Sequence, residues 1–103
     1  MDKRIMLATP TMHGEEMKFI QEAFDKNWIA PLGFNCDNFE SEMSSYLTGG
    51  NEECYALSLN SGTSALHLAV KLAGVKRGDI VLCSDMTFAA TVNPISYEGG
   101  IQV

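Results

Sequence analysis

The sequence predicts an α/β fold, a mostly parallel sheet flanked by helices and present only in part. Two observations carry that prediction. From about residue 54 the pattern alternates strand, loop, helix, strand, the rhythm of a parallel sheet with helices on its faces. A parallel sheet needs cover on both sides, yet these 103 residues hold too few strands and helices to finish one, and Ile101-Gln102-Val103 reads as a strand just opening. The sequence is therefore expected to be a truncated piece, with residues 1–50 as a helical segment and 51–103 as the start of the α/β domain.

The elements follow in order. Gly14–Lys26 is predicted as an amphipathic helix, because Met17, Ile20 and Phe24 recur at three- and four-residue spacing, with Phe19 and Ala23 widening the stripe. Glu15 and Glu16 in the first turn and Lys26 in the last suit the helix dipole. Pro31 and Gly33 break the pattern in Asn27–Phe34, whose apolar character predicts a loop that packs on something. A second helix is predicted near Asp37–Leu47, with Phe39, Met43, Tyr46 and Leu47 on one face. Asn35 or Asp37 is its candidate cap, and Thr48-Gly49-Gly50-Asn51 its stop.

Tyr55–Leu59 reads as a strand. After Asn60–Ser64, Leu66, Ala69, Val70 and Ala73 mark a helix that closes at Gly74. Ile80–Cys83 reads as a short buried strand. Thr87–Tyr97 is mostly helical in pattern, with Pro94 expected to kink or delay it, before Gly99-Gly100 turns into the last strand.

Two loops carry the candidate chemistry. Asn60-Ser61-Gly62-Thr63-Ser64 lies between a strand and a helix, where unpaired N–H groups and the positive end of the dipole favour a phosphate. Gly62 permits close backbone approach, and the hydroxyls of Ser61, Thr63 and Ser64 add donors. The plainer reading is that Ser61 or Thr63 simply caps the helix. Ser84–Thr91 follows the next strand, and strand carboxyl ends are where ligands gather in such sheets. The two loops are expected to open on the same edge. Phe88 offers a flat face for a heterocycle there; alternatively it belongs to a core stripe with Val92 and Ile95.

Composition narrows the function classes. Hydrophobic residues make up 46% and aromatic residues 9%, which fits a folded protein. Seven basic against 13 acidic residues give −6 at pH 7. With no basic stripe, neither nucleic acid nor an anionic membrane is the expected partner. Cys36, Cys54 and Cys83 are far apart and odd in number, which predicts reduced, partly buried thiols. His13 and His67 lie far from them, giving a metal site little support. The first residues lack the apolar run of about 7–15 that a signal peptide needs, or the roughly 20 of a spanning helix. Cytoplasmic residence is the expectation.

Ser61-Gly62-Thr63-Ser64-Ala65-Leu66-His67-Leu68-Ala69 resembles the phosphate-loop signature of the DegT/DnrJ/EryC1/StrS sugar aminotransferases. Gly78-Asp79-Ile80-Val81 and Thr87-Phe88-Ala89-Ala90-Thr91 resemble the same family, as does the upstream Asn27-Trp28-Ile29-Ala30-Pro31-Leu32-Gly33 with Phe39-Glu40. The resemblance covers the whole chain in colinear order, but only the amino-terminal part of a family member. Phe34 and Cys36 depart from the family's usual Gly-Pro loop, which leaves the fine substrate class open.

The resemblance implies a type I large domain that binds pyridoxal 5'-phosphate (PLP). Gly62, Thr63 and Ser64 would hold the cofactor phosphate, and Phe88 would stack on its ring. Trp28, Ile29, Pro31 and Gly33 would line a sugar-nucleotide entrance. It implies transfer of an amino group, usually from glutamate, to a nucleotide-linked keto sugar, in a homodimer. The Schiff-base lysine of the family and its pyridinium-pairing aspartate would lie downstream. Lys3, Lys18, Lys26, Lys71 and Lys76 match no such motif and read as solvated, and Asp79 and Asp85 match no such partner. No catalytic residue is assigned, and the 103 residues alone are expected to be inactive. A PLP-dependent sugar dehydratase and a non-catalytic phosphate-binding module remain as alternatives.

Overall fold

The computed structural model describes residues 5–49 and 54–103. Four helices and two strands follow in the order α1 (Glu16–Asp25), α2 (Phe34–Thr48), α3 (Gly62–Leu72), β1 (Ile80–Val81), α4 (Ala89–Tyr97) and β2 (Ile101–Gln102). The chain divides into two compact units, one running to Ser58 and the other from Leu59 to Val103.

In the first unit, α1 occupies the predicted stretch. Glu16 does more than complement the dipole, since its carboxylate accepts from the N–H groups of His13 (2.6 Å) and Gly14 (2.8 Å) ahead of the helix. α2 starts earlier than predicted. Phe34 is its first residue, and the cap is Gly33, with no side-chain hydrogen bond from Asn35 or Asp37. The reason is conformational: Gly33 sits at φ 148°, ψ 169°, a region open essentially to glycine alone. It can turn the chain into the helix at once. At the other end Gly49 adopts φ 59°, the left-handed stop that the sequence predicted. Gly50 and Asn51 lie outside the described residues.

The predicted strand Tyr55–Leu59 does not form. Among the described residues no backbone hydrogen bond joins this segment to another, and without a ladder partner a strand pattern has nothing to close on. The segment is tied instead by side chains of α2. Ser44 Oγ accepts from the Ala56 N–H at 2.8 Å, and Glu40 Oε1 from the Ser58 N–H at 2.8 Å.

In the second unit β1, α4 and β2 make a β-α-β element. The strands are parallel, in register Ile80↔Ile101 and Val81↔Gln102. Ile101 N–H donates to Asp79 C=O (2.7 Å), Val103 N–H to Val81 C=O (3.0 Å) and Cys83 N–H to Val103 C=O (2.9 Å). β1 is thus shorter than predicted, and it is not buried, Ile80 being 69% exposed. α4 starts at Ala89, two residues late, with Phe88 as its N-cap, and then runs through Pro94 to Tyr97. Pro94 and Ile95 are its buried residues. α4 packs on both α3 and β2. Gly100 allows that closeness, since a Cβ there would lie 2.8 Å from Ile95 Cγ2 and 3.1 Å from Val75 Cγ1.

Candidate functional site

The turn before α3 is built by its own side chains. Ser61 is the N-cap, in extended backbone at φ −163°, ψ 156°. Its Oγ accepts from the Ser64 N–H at 3.2 Å, and Ser64 Oγ–H donates to Asn60 Oδ1 at 2.7 Å. The Ser61 and Ser64 hydroxyl oxygens lie 3.0 Å apart. The capping reading and the anion-site reading therefore both have a place here. The cap engages the third helical residue, while the N–H groups of Gly62 and Thr63 have no hydrogen-bond acceptor among the described residues. A Cβ on Gly62 would meet nothing within 4 Å. Two free donors at a helix start, with open space over the glycine, suit an anion of phosphate size.

Phe88 does not join the core. Ile95 is 2% exposed whereas the Phe88 side chain is 82% exposed. The ring stands at the start of α4, in extended backbone at φ −73°, ψ 141°. Thr87 Oγ1 and Thr91 Oγ1 lie 2.8 Å apart across that first turn. No hydrogen bond links the Ser61–Ser64 turn to this loop; the link between them is the packing of α3 on α4.

That packing has a polar anchor. His67 Nε2–H donates to Glu98 Oε1 at 2.7 Å, and Lys71 Nζ donates to the same oxygen at 3.2 Å. The Tyr97 ring meets the His67 ring edge-on at 5.3 Å. The hydrogen bond from His67, then that from Lys71, holds the Glu98 carboxyl below its ordinary 4.5. The partners are 31 residues apart in the chain, beyond any periodicity argument. Only an unexplained histidine and lysine one turn apart on α3 hinted at a shared acceptor.

In the first unit Trp28 and Gly33 come together, a Cβ on Gly33 falling 3.2 Å from Trp28 Cβ. Trp28 stacks on Phe34 with centroids 6.1 Å apart. The Lys26 ammonium lies 5.5 Å from the Trp28 ring and 5.4 Å from that of Phe34, within cation–π range. Lys26 also pairs with Glu22. Lys26 and Lys71 are therefore partnered rather than merely solvated. Ile29 and Pro31 remain exposed on the loop. Lys3 lies outside the described residues. The three cysteines are free and half-buried. Among the described residues no cluster of three metal-ligating side chains occurs, and no helix is long and apolar enough to cross a membrane.

A β-α-β element beside a helix that starts on a serine cap defines an α/β class, and the comparisons specify it. Residues 10–103 match the DegT/DnrJ/EryC1/StrS aminotransferase family, and the chain belongs to that family. It is 46% identical over its whole length to a Bacillus subtilis (strain 168) protein named "Putative pyridoxal phosphate-dependent aminotransferase EpsN", covering 26% of that protein. It is 33% identical over 98% of its length to GDP-perosamine synthase of Escherichia coli O157:H7, covering 27% of it. It is 37% identical over 92% of its length to dTDP-4-dehydro-2,3,6-trideoxy-D-glucose 4-aminotransferase of Saccharopolyspora spinosa, covering 24% of it. Among solved structures, "Putative sugar aminotransferase Spr1654 from Streptococcus pneumoniae, PMP-form" superposes with a TM-score of 0.82 over 98% of the chain and 24% of its own, at 26% identity. The chain thus spans about a quarter of the relatives it matches, and its fold is part of the PLP-dependent sugar aminotransferase fold.

Proposed function

We propose that these residues belong to a PLP-dependent aminotransferase that passes an amino group, from glutamate, to a nucleotide-linked keto sugar. The single observation that carries the reading is the start of α3, where the N–H groups of Gly62 and Thr63 have no acceptor among the described residues and Gly62 faces open space. Those two donors would hold the phosphate, and Ser64 would join them by trading its bond to Asn60. Ser61, as cap, keeps the turn in shape. The exposed Phe88 ring would lie on one face of the cofactor ring, fixing its plane and keeping water from that side. Bound there, PLP supplies the electron sink for amino-group transfer. The lysine and aspartate that act on it would come from the rest of the polypeptide. Sugar-linked substrates are supported by the names of the relatives. The part of Trp28, Ile29, Pro31 and Gly33 at a sugar entrance, the homodimer and the cytoplasmic location extend the same reading.

Gly62→Pro in the full-length polypeptide tests it. Proline suits the first helical position, where no hydrogen bond is lost, and Ser61 already has the extended backbone that must precede it. The helix should persist while one donor to the phosphate disappears. The expected result is a native circular dichroism spectrum with cofactor affinity, titrated by visible absorbance, reduced about 10- to 100-fold, the worth of one hydrogen bond to a charged group. Unchanged affinity would remove the phosphate from this turn. Incubating the wild-type protein with glutamate and a nucleotide-linked keto sugar should yield the amino sugar by mass spectrometry. A deoxygenated sugar would move the protein to dehydration.

A further inference from the structure

One oxygen of Glu98 takes two hydrogen bonds from α3. His67 Nε2–H reaches it at 2.7 Å and Lys71 Nζ at 3.2 Å. The donors stand four residues apart, about 6 Å along the helix axis. An acceptor shared between donors one turn apart is tied at two heights of α3, and so resists a slide along that helix. Apolar packing supplies no such register, because it is non-directional. The Glu98 carboxylate also moves with α4, since its own N–H donates to the Pro94 carbonyl at 3.3 Å. Its side chain is only 18% exposed, which places both bonds in the stronger, charge-assisted class. The Tyr97 ring, edge-on to that of His67, closes the same end of α4 on α3.

The two helices so tied begin at the two loops of the candidate site. α3 starts at Gly62, and α4 starts at Ala89 with Phe88 as its cap. No hydrogen bond joins those loops to each other, so their separation is set where the helices meet. A cofactor with its phosphate on one loop and its ring on the other has a covalently fixed span, and such sites tolerate errors of only about 0.5 Å. We propose that Glu98 is a positioning residue for the cofactor: by holding His67 and Lys71 it fixes α4 on α3, and so sets the Phe88 ring at its working distance from the phosphate turn. Glu98 follows Phe88 by about 15 Å of helix, and acts through the helices rather than by touching the ligand. The inference rests on the reading of the α3 start as the phosphate site.

Titrating the full-length protein with PLP by visible absorbance, with inorganic phosphate as competitor, tests it. Glu98→Gln keeps the shape of the side chain and removes its charge. PLP affinity should fall about 2- to 30-fold, the range for substitutions that act through a packed network. The inhibition constant of phosphate should not change, because phosphate meets the turn alone. Two changes at His67 separate the bond from the packing. His67→Phe keeps a ring against Tyr97 and should weaken PLP as Glu98→Gln does; His67→Gln keeps a donor near the place of Nε2 and should recover most of that loss. In a Phe88→Leu background Glu98→Gln should have little further effect, since the ring that it places is gone. Equal weakening of PLP and phosphate, or additive losses in the double variant, would make Glu98 a general stabiliser and overturn the inference. Wild-type PLP affinity in Glu98→Gln, with phosphate still competing, would overturn the inference alone. Phosphate that failed to compete even in the wild type would remove the phosphate from this turn, and the inference would fall with that reading.

Discussion

From Leu59 onward, order rests on backbone and burial. Two strands pair through their own N–H and C=O groups, and α4 carries the buried Pro94 and Ile95. Up to Ser58, neither α1 nor α2 has a buried residue, and the links between distant residues run through side chains: Glu40 to Ser58, Ser44 to Ala56, and Asn35 Nδ2 to the Phe19 carbonyl at 3.4 Å. A backbone ladder tolerates most substitutions, because the groups that bond are common to every residue. A side-chain link depends on one residue type at one position. The two regions should therefore fail in different ways: the second through packing volume, the first through loss of individual acceptors.

The largest effects should come from packing in the second region. Ile95→Ala removes its most buried hydrophobic side chain, 2% exposed, and should cost about 2–5 kcal/mol in urea unfolding of the full-length protein. Gly100→Ala should cost about 1–3 kcal/mol, because the new methyl would overlap Ile95 Cγ2 at 2.8 Å. If both substitutions proved mild, burial would not be what organises residues 59–103, and the contrast between the regions would collapse. Ser61→Ala, which deletes the cap on Ser64 N–H, should cost about 1 kcal/mol.

Acid should touch both regions, the first through Glu16 and Glu40 and the second through Glu98. Glu40 is held below its ordinary 4.5 first by the Ser58 N–H and then by the Ser58 hydroxyl, and Glu98 first by His67 and then by Lys71. A carboxyl with a lowered folded-state pKa adds stability that is fully present above 4.5 and is lost as pH falls through the folded value. Urea midpoints should therefore decline below about pH 4.5. Glu40→Gln and Glu98→Gln should each flatten that decline, because neither variant has the carboxylate to protonate. A decline identical in wild type and variants would assign acid sensitivity to other groups.

The sequence made the helices legible and the sheet only partly so, for a physical reason. α1 and α3 are set by local periodicity and by caps a few residues away, so the stripe of Met17, Ile20 and Phe24 and the Ser61 turn could be read directly. The start of α2 could not, because it depends on Gly33 taking a backbone region whose use no neighbouring residue signals. The Tyr55–Leu59 strand carries the right pattern but lacks a partner among the described residues, and pattern cannot supply one. In the candidate site, Gly62 and Thr63 were legible as donors. The commitment of Ser64 to Asn60, and the anchor of His67 and Lys71 on Glu98, were not, since both are geometric facts about hydroxyl and carboxylate placement.

Phe88 gives the smallest expected effect on stability and the finest test of the contrast. It is a large aromatic residue beside the packed α4, yet its ring is 82% exposed where Ile95 is 2% exposed. Phe88→Leu should therefore change unfolding free energy by no more than about 0.5 kcal/mol, as exposed substitutions do. Cofactor affinity should fall measurably in the same protein, since a leucine cannot stack on a heteroaromatic ring as phenylalanine does. A stability loss as large as that of Ile95→Ala would mean that the ring is covered by protein rather than by ligand. The second region would then owe part of its order to surfaces outside these residues.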